Sequence, residues 1–252
     1  MYIFESRVRY SETDAQGRLT AEKLIDYFQD CSTFQSEENG VGVAEMRARG
    51  LAWIIVYWRV EILRMPRLGE RIRIGTIPYA MKGGIGLRNF FMETAPGEAG
   101  ERLANANSVW TLVDIHTMRP VRIPADVLER YPLGQRLQMQ YDARKIRLPA
   151  EPGISRPDVT VREYHLDTNR HMNNGQYVRI AAGLLPSGAD VRTLRIEYRR
   201  QAVLGDRITP VVYSGLSGEE TDQADIVCVS LNAKDGKPYA VLEAELQIYH
   251  KN

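Results

Sequence analysis

The residues whose types and spacing favour chemistry lie together in one short stretch of the chain, residues 164–178. Asp167, Asn169 and His171 occupy alternate positions, so in an extended or loosely turned backbone their side chains point to one side and can converge on a small volume. A carboxylate that activates water and donors that polarise a carbonyl are the groups that hydrolysis of an acyl compound needs. A hydrolytic site is therefore one interpretation of these residue types at this spacing.

The residues that follow have the composition of a helix start. Asn173, Asn174 and Gly175 supply N-cap chemistry, and the unpaired N–H groups of a helix's first turn stabilise a developing negative charge. An alternative explains the stretch without chemistry, because Asp and Asn collect in turns and a histidine there can simply be hydrogen-bonded. Spacing alone favours neither interpretation.

An internal repeat shows which elements must position this stretch. Residues 161–167 align with residues 8–14, and residues 195–197 align with residues 59–61. Each half is therefore expected to consist of one turn, one helix and a following set of strands.

The two copies of the turn differ in their chemistry. The first half carries Asp14, Gln16 and Arg18 at the positions of the aspartate, asparagine and histidine above. Because arginine does not give up its proton, Arg18 cannot replace a histidine in proton transfer. We therefore expect one active site, between the halves, and expect Asp14 to hold its turn or an arginine.

Periodicity and start and stop signals predict the elements of each half. Thr20 is the expected N-cap of a long helix that ends before Gly40, a short helix is expected over residues 43–49, and a helix over residues 174–183 belongs to the second half. A Gly-Gly hairpin turn is expected at residues 83–84. β-Branched and aromatic runs predict strands over residues 53–62, 71–74, 86–92, 103–113, 207–213, 224–232 and 239–249.

Residues 123–158 read as a linker between the halves. They hold five of the twelve prolines, a composition that suits a segment crossing the surface, with a short helix around residues 126–131. We set the domains at residues 1–150, which include the linker, and residues 151–252, which carry the candidate site.

The stretch around Asp167 resembles the motif Asp-x-Asn-x-His-x-Asn-Asn of the acyl-acyl-carrier-protein thioesterases of plants and bacteria. The likeness extends to Leu194–Arg200, to Trp53–Val56 and to Trp110, and covers essentially the whole chain. It implies an α+β fold, the tandem or double hot-dog, in which two antiparallel sheets each wrap around a central helix.

The resemblance also implies roles for the site residues. Asp167, Asn169 and His171 would be catalytic: the aspartate activates water or orients the group that does, the asparagine positions the carbonyl or the nucleophile, and the histidine polarises or transfers a proton. Backbone N–H groups near Asn173 and Asn174 would complete an oxyanion hole.

One departure from the family pattern affects the mechanism. Plant members continue their signature strand with Glu-Cys, residues assigned base or nucleophile roles, whereas this chain has Gln201 and Ala202. No thiol is present at that point, so direct attack by water is expected. Gln201 can hold a water molecule but cannot accept its proton.

Composition limits the partners. Lys and Arg total 33 against 32 Asp and Glu, for a formal charge of +1, so no overall field indicates a nucleic-acid partner. Cys31 and Cys228 lie far apart in sequence and form no CxxC motif, as is usual in a reducing cytosol.

The longest apolar run, residues 51–58, is too short for a membrane-spanning helix, and the N-terminus lacks a signal-like apolar core. A cytoplasmic protein without a membrane partner is expected.

We expect a thioesterase that releases free fatty acid from acyl carrier protein and so ends chain elongation, without a cofactor. The histidines and cysteines have no metal-ligand spacing, so no metal is expected. A monomer is possible if the halves pair within one chain, and a homodimer is the other expectation. Two alternatives stay open: a thioesterase acting on coenzyme A thioesters, and a protein that binds acyl thioesters without catalysis.

The expected carrier partner is acidic, and a group of arginines in the second half could meet it. Such a cluster would steer an acidic carrier toward the enzyme and raise its association rate, but a solvated strand face explains the same residues equally well. The group consists of Arg179, Arg192, Arg195, Arg199 and Arg200.

Overall fold

The computed structural model describes residues 1–97, 100–186, 189–215 and 225–247. The chain forms two compact units, residues 1–142 (unit 1) and residues 143–252 (unit 2). No helix within the described ranges is long and apolar enough to cross a membrane.

Unit 1 combines helices with an antiparallel sheet. Its strands are ordered β1-β3-β4-β5-β2, each antiparallel to its neighbour, and its long helix α1 contacts β1 and β3. The elements are β1 (Tyr2–Arg7), α1 (Ala21–Glu38), α2 (Val43–Ala48), β2 (Leu51–Ile62), β3 (Arg71–Lys82), β4 (Ile85–Thr94), β5 (Arg102–Asp114) and α3 (Ala125–Glu129).

Helix α1 begins where its sequence predicts. The Thr20 side chain accepts a hydrogen bond from the N–H of Lys23 at 3.4 Å, which confirms the predicted N-cap. The apolar face of the helix is buried, and the Phe28 ring lies 6.1 Å from Trp58 and 5.5 Å from Phe90 between centroids. Helix and sheet of unit 1 therefore share an aromatic core.

The hairpin between β3 and β4 turns at the predicted glycine pair. Lys82 faces Ile85 across the turn, and Gly83 has a φ of 62°, in the left-handed region that glycine adopts without strain. Strand β3 is longer than predicted, because it continues through Pro78. The register shifts between Pro78 and Ala80, and such an irregularity accommodates a proline that cannot donate to the ladder.

Unit 2 repeats the plan with a shorter helix. Strands β8, β11, β10 and β9 are neighbours in that order, β6 and β7 also pair with β9, and α4 contacts β10 and β11. The elements are β6 (Ile154–Ser155), β7 (Val159–Thr160), α4 (Asn174–Ala182), β8 (Asp190–Tyr198), β9 (Arg207–Gly215), β10 (Asp225–Asn232) and β11 (Pro238–Gln247). The predicted strand residues 224, 248 and 249 lie outside the described residues.

The segment between the repeats, residues 123–158, contributes side chains to buried clusters. The prediction that it only crosses the surface was therefore wrong. Val127 and Tyr131 belong to a buried apolar cluster of unit 1, and Ile146 is buried beside Cys228 and Val241 in unit 2. Apolar side chains spaced along the segment gain burial in each core, and this burial holds its backbone against both units.

Candidate active site

Asp167 is the centre of a tight turn. Its Oδ1 accepts the backbone N–H of Asn169 at 2.7 Å and that of His171 at 3.2 Å, while its own N–H donates to the carbonyl of His171 at 2.8 Å. Arg170 has a φ of 60°, which is uncommon for a residue with a side chain. One carboxylate oxygen therefore fixes the whole turn.

The turn leaves the three predicted catalytic residues at different depths. Asp167 and His171 are half-buried and Asn169 is exposed. Leu166 and Met172 form a β-bridge, so Asp167 and His171 lie on the two facing limbs of the turn. The structure thus joins the three residues through the backbone hydrogen bonds of one carboxylate.

Asn173 is the N-cap of α4, as predicted. Its Oδ1 accepts the N–H of Gly175 at 2.8 Å, and its own N–H donates to the carbonyl of His165 at 2.8 Å. The carbonyl of Asn174, the first residue of the helix, accepts the hydroxyl of Tyr198 at 3.1 Å. The N–H groups of Asn173 and Gly175 therefore both have acceptors within the turn and the cap.

Gln201 is exposed and lies in the loop that crosses the turn. The N–H of Met172 donates to the carbonyl of Ala202 at 2.9 Å, and His171 forms a β-bridge with Val203. The N–H of Ala202 in turn donates to the Tyr177 hydroxyl at 2.8 Å. Backbone hydrogen bonds thus place Gln201 beside the Asp167 turn, although the two are remote in sequence.

Tyr177, which sequence reasoning missed, connects α4 to that loop. The side chain is buried, and burial raises the pKa of Tyr177 above its ordinary value. Its hydroxyl therefore stays protonated at neutral pH and accepts the Ala202 N–H through an oxygen lone pair.

His165 is a second residue whose role sequence reasoning missed. It is 9% exposed, and its Nδ1 accepts the N–H of Arg162 at 3.1 Å. Burial, followed by the positive charges of Arg179 and Arg162, lowers the pKa of His165, which favours the neutral ring that this hydrogen bond needs. The repeat held the signal, because Glu12 at the equivalent position accepts the N–H of Arg9 at 2.8 Å.

The first copy of the turn uses both oxygens of its aspartate. Asp14 Oδ1 accepts the N–H groups of Gln16 and Arg18, each at 2.9 Å, and Oδ2 accepts Nε of Arg18 at 3.1 Å. This confirms that Asp14 holds its turn and an arginine. Among the described residues, neither Oδ2 of Asp167 nor the ring of His171 makes a hydrogen bond, so the two copies differ at these groups.

Acidic partners offset several of the arginines that we considered as a docking patch. Arg195 pairs with Glu243, Arg199 with Glu197 at 2.7 Å and Arg200 with Asp235 at 2.9 Å. These pairs favour the solvated strand face for those three positions. In the same described ranges, no three His, Cys, Asp or Glu side chains are grouped so that they could hold a metal ion.

The profiles of one protein family match both halves of the chain. Residues 2–131 match the profile of the acyl-ACP thioesterase N-terminal domain, and residues 153–244 match that of the acyl-ACP thioesterase C-terminal domain. The second profile includes the Asp167 turn, α4 and the loop at Gln201.

Individual relatives agree with these matches. A chloroplastic acyl-[acyl-carrier-protein] hydrolase of Cuphea viscosissima is 26% identical over 209 residues, covering 77% of this chain and 50% of the relative. A chloroplastic oleoyl-acyl carrier protein thioesterase of Coriandrum sativum is 24% identical over 256 residues, covering 94% of this chain and 67% of the relative. The chain spans about half the length of the first of these relatives.

Solved structures show the same fold. An acyl-ACP thioesterase from Bacteroides thetaiotaomicron superposes with a TM-score of 0.82 at 18% identity, covering 97% of each chain. A 12:0-ACP thioesterase from Umbellularia californica gives 0.81 at 18% identity, covering 97% of this chain and 94% of that one. These superpositions confirm the α+β double hot-dog expected from the sequence. Because the profiles of both domains match, the chain belongs to the acyl-ACP thioesterase family.

Proposed function

We propose that this chain hydrolyses fatty acyl thioesters of an acyl carrier protein, releasing free fatty acid and the carrier thiol. The observation that carries the proposal is the difference between the two turns. In the first turn, Arg18 donates its backbone N–H to Oδ1 of Asp14 and its Nε to Oδ2. In the second turn, Oδ2 of Asp167 has no hydrogen bond within the described residues, and His171 lies on the facing limb. Family membership supplies the substrate class.

In the proposed mechanism a water molecule attacks the thioester carbonyl directly. Asp167 Oδ2 orients the water and accepts its proton as the C–O bond forms, Asn169 and backbone N–H groups near Asn173 and Asn174 stabilise the oxyanion, and Gln201 holds the water by hydrogen bonds. The C–S bond then breaks as His171 delivers a proton to the departing thiolate, and the proton taken by Asp167 passes through water to His171, which restores both groups. The products are a carboxylic acid and a thiol, with no cofactor consumed.

The proposed setting is the end of chain elongation in fatty acid biosynthesis, in the cytoplasm, without a nucleic-acid or membrane partner. Residues 1–150 form the proposed N-terminal hot-dog domain, and residues 151–252 form the C-terminal domain that carries the catalytic motif. The proposed assembly is a monomer whose two halves form a pseudo-dimer, or a homodimer.

The test compares fatty-acid release from carrier and coenzyme A thioesters of matched chain length, using wild type, Asp167→Asn and Asp14→Asn. Asparagine keeps the Oδ1 acceptor of the turn but cannot take a proton. We expect Asp167→Asn to slow hydrolysis by about 10²–10⁴-fold, the usual contribution of a positioned acid or base. Asp14→Asn makes the same change in the first turn and should leave the rate unchanged.

Each other outcome has a definite meaning. Equal rates in Asp167→Asn and wild type would place the base elsewhere. A preference for coenzyme A thioesters would identify an acyl-CoA thioesterase, and binding of acyl thioesters without any product release would identify a non-catalytic acyl-binding protein.

A further inference from the structure

Arg170 occupies a position of the Asp167 turn whose backbone conformation favours glycine. Its φ of 60° is one of two positive values outside glycine in the described ranges, and its N–H donates to the Asp167 carbonyl at 3.0 Å. The equivalent residue of the first copy is Gly17, which has a φ of 72° and donates its N–H to the Asp14 carbonyl at 3.0 Å. Because a residue with a Cβ is strained in this region, the turn itself does not account for an arginine.

The side chain of Arg170 does little to offset that strain. It is 74% exposed, and its acidic partner in the described part of the chain is Glu163, at 3.5 Å and itself 67% exposed. Ion pairs between exposed side chains contribute little stability. A side chain kept in a strained conformation without a strong stabilising contact indicates a role other than folding.

The charge of Arg170 lies at the exposed tip of the turn that carries the candidate catalytic residues. Arg170 stands between Asn169 and His171, whose N–H groups both donate to Oδ1 of Asp167. Asn169 and Arg170 are exposed, whereas Asp167 and His171 are half-buried. The tip of the turn is therefore on the solvent side of the carboxylate that we propose as the base.

The substrate of the proposed reaction carries an anion that suits this cation. In a carrier thioester, as in a coenzyme A thioester, pantetheine joins the acyl sulfur to a phosphate. A carrier protein is too large to enter the site, so the pantetheine must extend from the half-buried Asp167 outward to solvent. Arginine binds phosphate oxygens through its planar fork and stays charged at any physiological pH.

Exposed apolar side chains flank the same turn. Tyr164, which follows the Glu163 partner of Arg170, is 76% exposed, and Val203, which forms a β-bridge with His171, is 43% exposed. Pantetheine carries two methyl groups on the carbon next to the one that bears the phosphate. A cation near exposed apolar side chains therefore matches the phosphate end of the arm in both charge and polarity.

We propose that Arg170 binds the phosphate of the phosphopantetheine arm. The choice of ligand rests on the proposed function, whose substrates contain this arm. Arg170 thus recognises the thiol portion of the substrate rather than the acyl chain. Because the phosphate takes no part in the reaction, its contact should lower KM and leave kcat unchanged.

The test measures binding of two thioethers, S-dodecyl-phosphopantetheine and S-dodecyl-pantetheine, to the full chain by calorimetry below their micelle concentrations. They lack the scissile carbonyl and differ from each other only in the phosphate. Wild type should bind the phosphorylated thioether more tightly by about tenfold or more, the effect of one charge-assisted hydrogen bond. Arg170→Met, which removes the charge at similar length, should lose that preference and bind S-dodecyl-pantetheine as wild type does.

Three further variants serve as controls. Arg170→Lys retains the charge but not the planar fork and should keep part of the preference. Arg170→Gly, which restores the residue of the first copy, should lose the preference while its midpoint of thermal unfolding stays at or above the wild-type value. Arg156→Met removes another exposed arginine of unit 2 and should keep the wild-type preference.

Two results of the binding test would overturn the proposal. One is equal affinity of wild type for the two thioethers, and the other is a preference that survives in Arg170→Met. A lower unfolding midpoint in Arg170→Gly, together with weaker binding of both thioethers, would assign the arginine a structural role instead.

Hydrolysis rates identify the source of the anion. Arg170→Met should raise KM similarly for dodecanoyl thioesters of phosphopantetheine, coenzyme A and the carrier protein, with kcat unchanged. A rise confined to the carrier thioester would point to an acidic side chain of the carrier and would contradict the phosphate assignment.

Because the thioethers are not cleaved, the binding test is independent of catalysis. A phosphate preference that depends on Arg170, in a chain that hydrolyses no thioester, would contradict only the proposed function. Hydrolysis by a chain without that preference would contradict only the phosphate site.

Discussion

At the scale of single residues, one exchange, of arginine for histidine, distinguishes the two copies of the turn. Asp14 and Asp167 accept the same two backbone N–H groups through Oδ1. Arg18 also binds Oδ2 of Asp14, and a histidine in its place at 171 leaves that oxygen available among the described residues. The geometry of the turn is thus independent of its chemistry.

His165 should make stability depend on pH. Its pKa is lowered in the folded state, whereas the unfolded side chain titrates near 6.5. Below about pH 6.5 the unfolded chain takes up a proton that the folded chain takes up only at lower pH, so stability is full above that value and falls as the pH falls. Urea unfolding between about pH 7.5 and 5 should show a smaller loss in His165→Gln than in wild type. Parallel curves would contradict this.

The Tyr177 hydroxyl should contribute to the free energy of unfolding, because it is the acceptor of a buried backbone N–H. Tyr177→Phe removes the acceptor of the buried Ala202 N–H, and leaving such a donor unsatisfied costs roughly 1–3 kcal/mol. Denaturant unfolding should show that loss. Tyr198→Phe is a matched control, since it removes a donor to the Asn174 carbonyl in a half-buried side chain, and it should cost less. Equal losses in the two variants would show that burial does not distinguish them.

At the scale of elements, each repeat begins its helix directly after its turn, with a capping side chain that the turn itself holds. The N–H of Thr20 donates to the Glu12 carbonyl at 3.0 Å, as that of Asn173 does to His165 at 2.8 Å. The helices differ in length, 18 residues in α1 and 9 in α4, so α4 depends more on its cap.

Removing the two caps should separate stability from activity. Thr20→Ala and Asn173→Ala should each destabilise the chain by about 0.5–2 kcal/mol, the usual value of an N-cap. Only Asn173→Ala should also slow thioester hydrolysis, because its cap positions the helix start beside the Asp167 turn. Unfolding curves and hydrolysis rates measured on the same samples would check this, and equal activity in the two variants would contradict it.

At the scale of the whole molecule, the segment between the repeats is held by equivalent carboxylates, one in each unit. The N–H of Gln140 donates to Glu61 at 2.9 Å, and the N–H of Ile146 donates to Glu197 at 2.9 Å. Ile146 is also buried, whereas the basic residues around it, Arg144, Lys145 and Arg147, are exposed.

Limited trypsin digestion should report on that attachment. Glu197→Ala removes the acceptor of the Ile146 N–H, a loss of about 1–3 kcal/mol in local stability. Cleavage after Arg144, Lys145 or Arg147 should therefore become roughly fivefold faster or more. Glu197→Gln keeps an acceptor oxygen and should be cut more slowly than Glu197→Ala. If both variants were cut at the wild-type rate, the carboxylate would not be what holds the segment.

Much of this protein could be predicted from its sequence, because the features concerned are local. The N-caps at Thr20 and Asn173, the glycine hairpin at residue 83 and the Asp167 turn each depend on residues a few positions apart. The duplication was visible for the same reason, since each copy repeats its own local pattern. These features identified the family and the double hot-dog.

Other features required the tertiary structure, because they depend on residues far apart in the chain. Tyr177 binds Ala202, acidic partners pair with several of the arginines, and the linker residue Ile146 joins a buried cluster. Arg88 looked like an ordinary strand residue, yet helix and sheet enclose it without a carboxylate among the described residues. Composition and spacing thus determined which groups the chain carries, and packing between distant segments decided which of them are buried, paired or available.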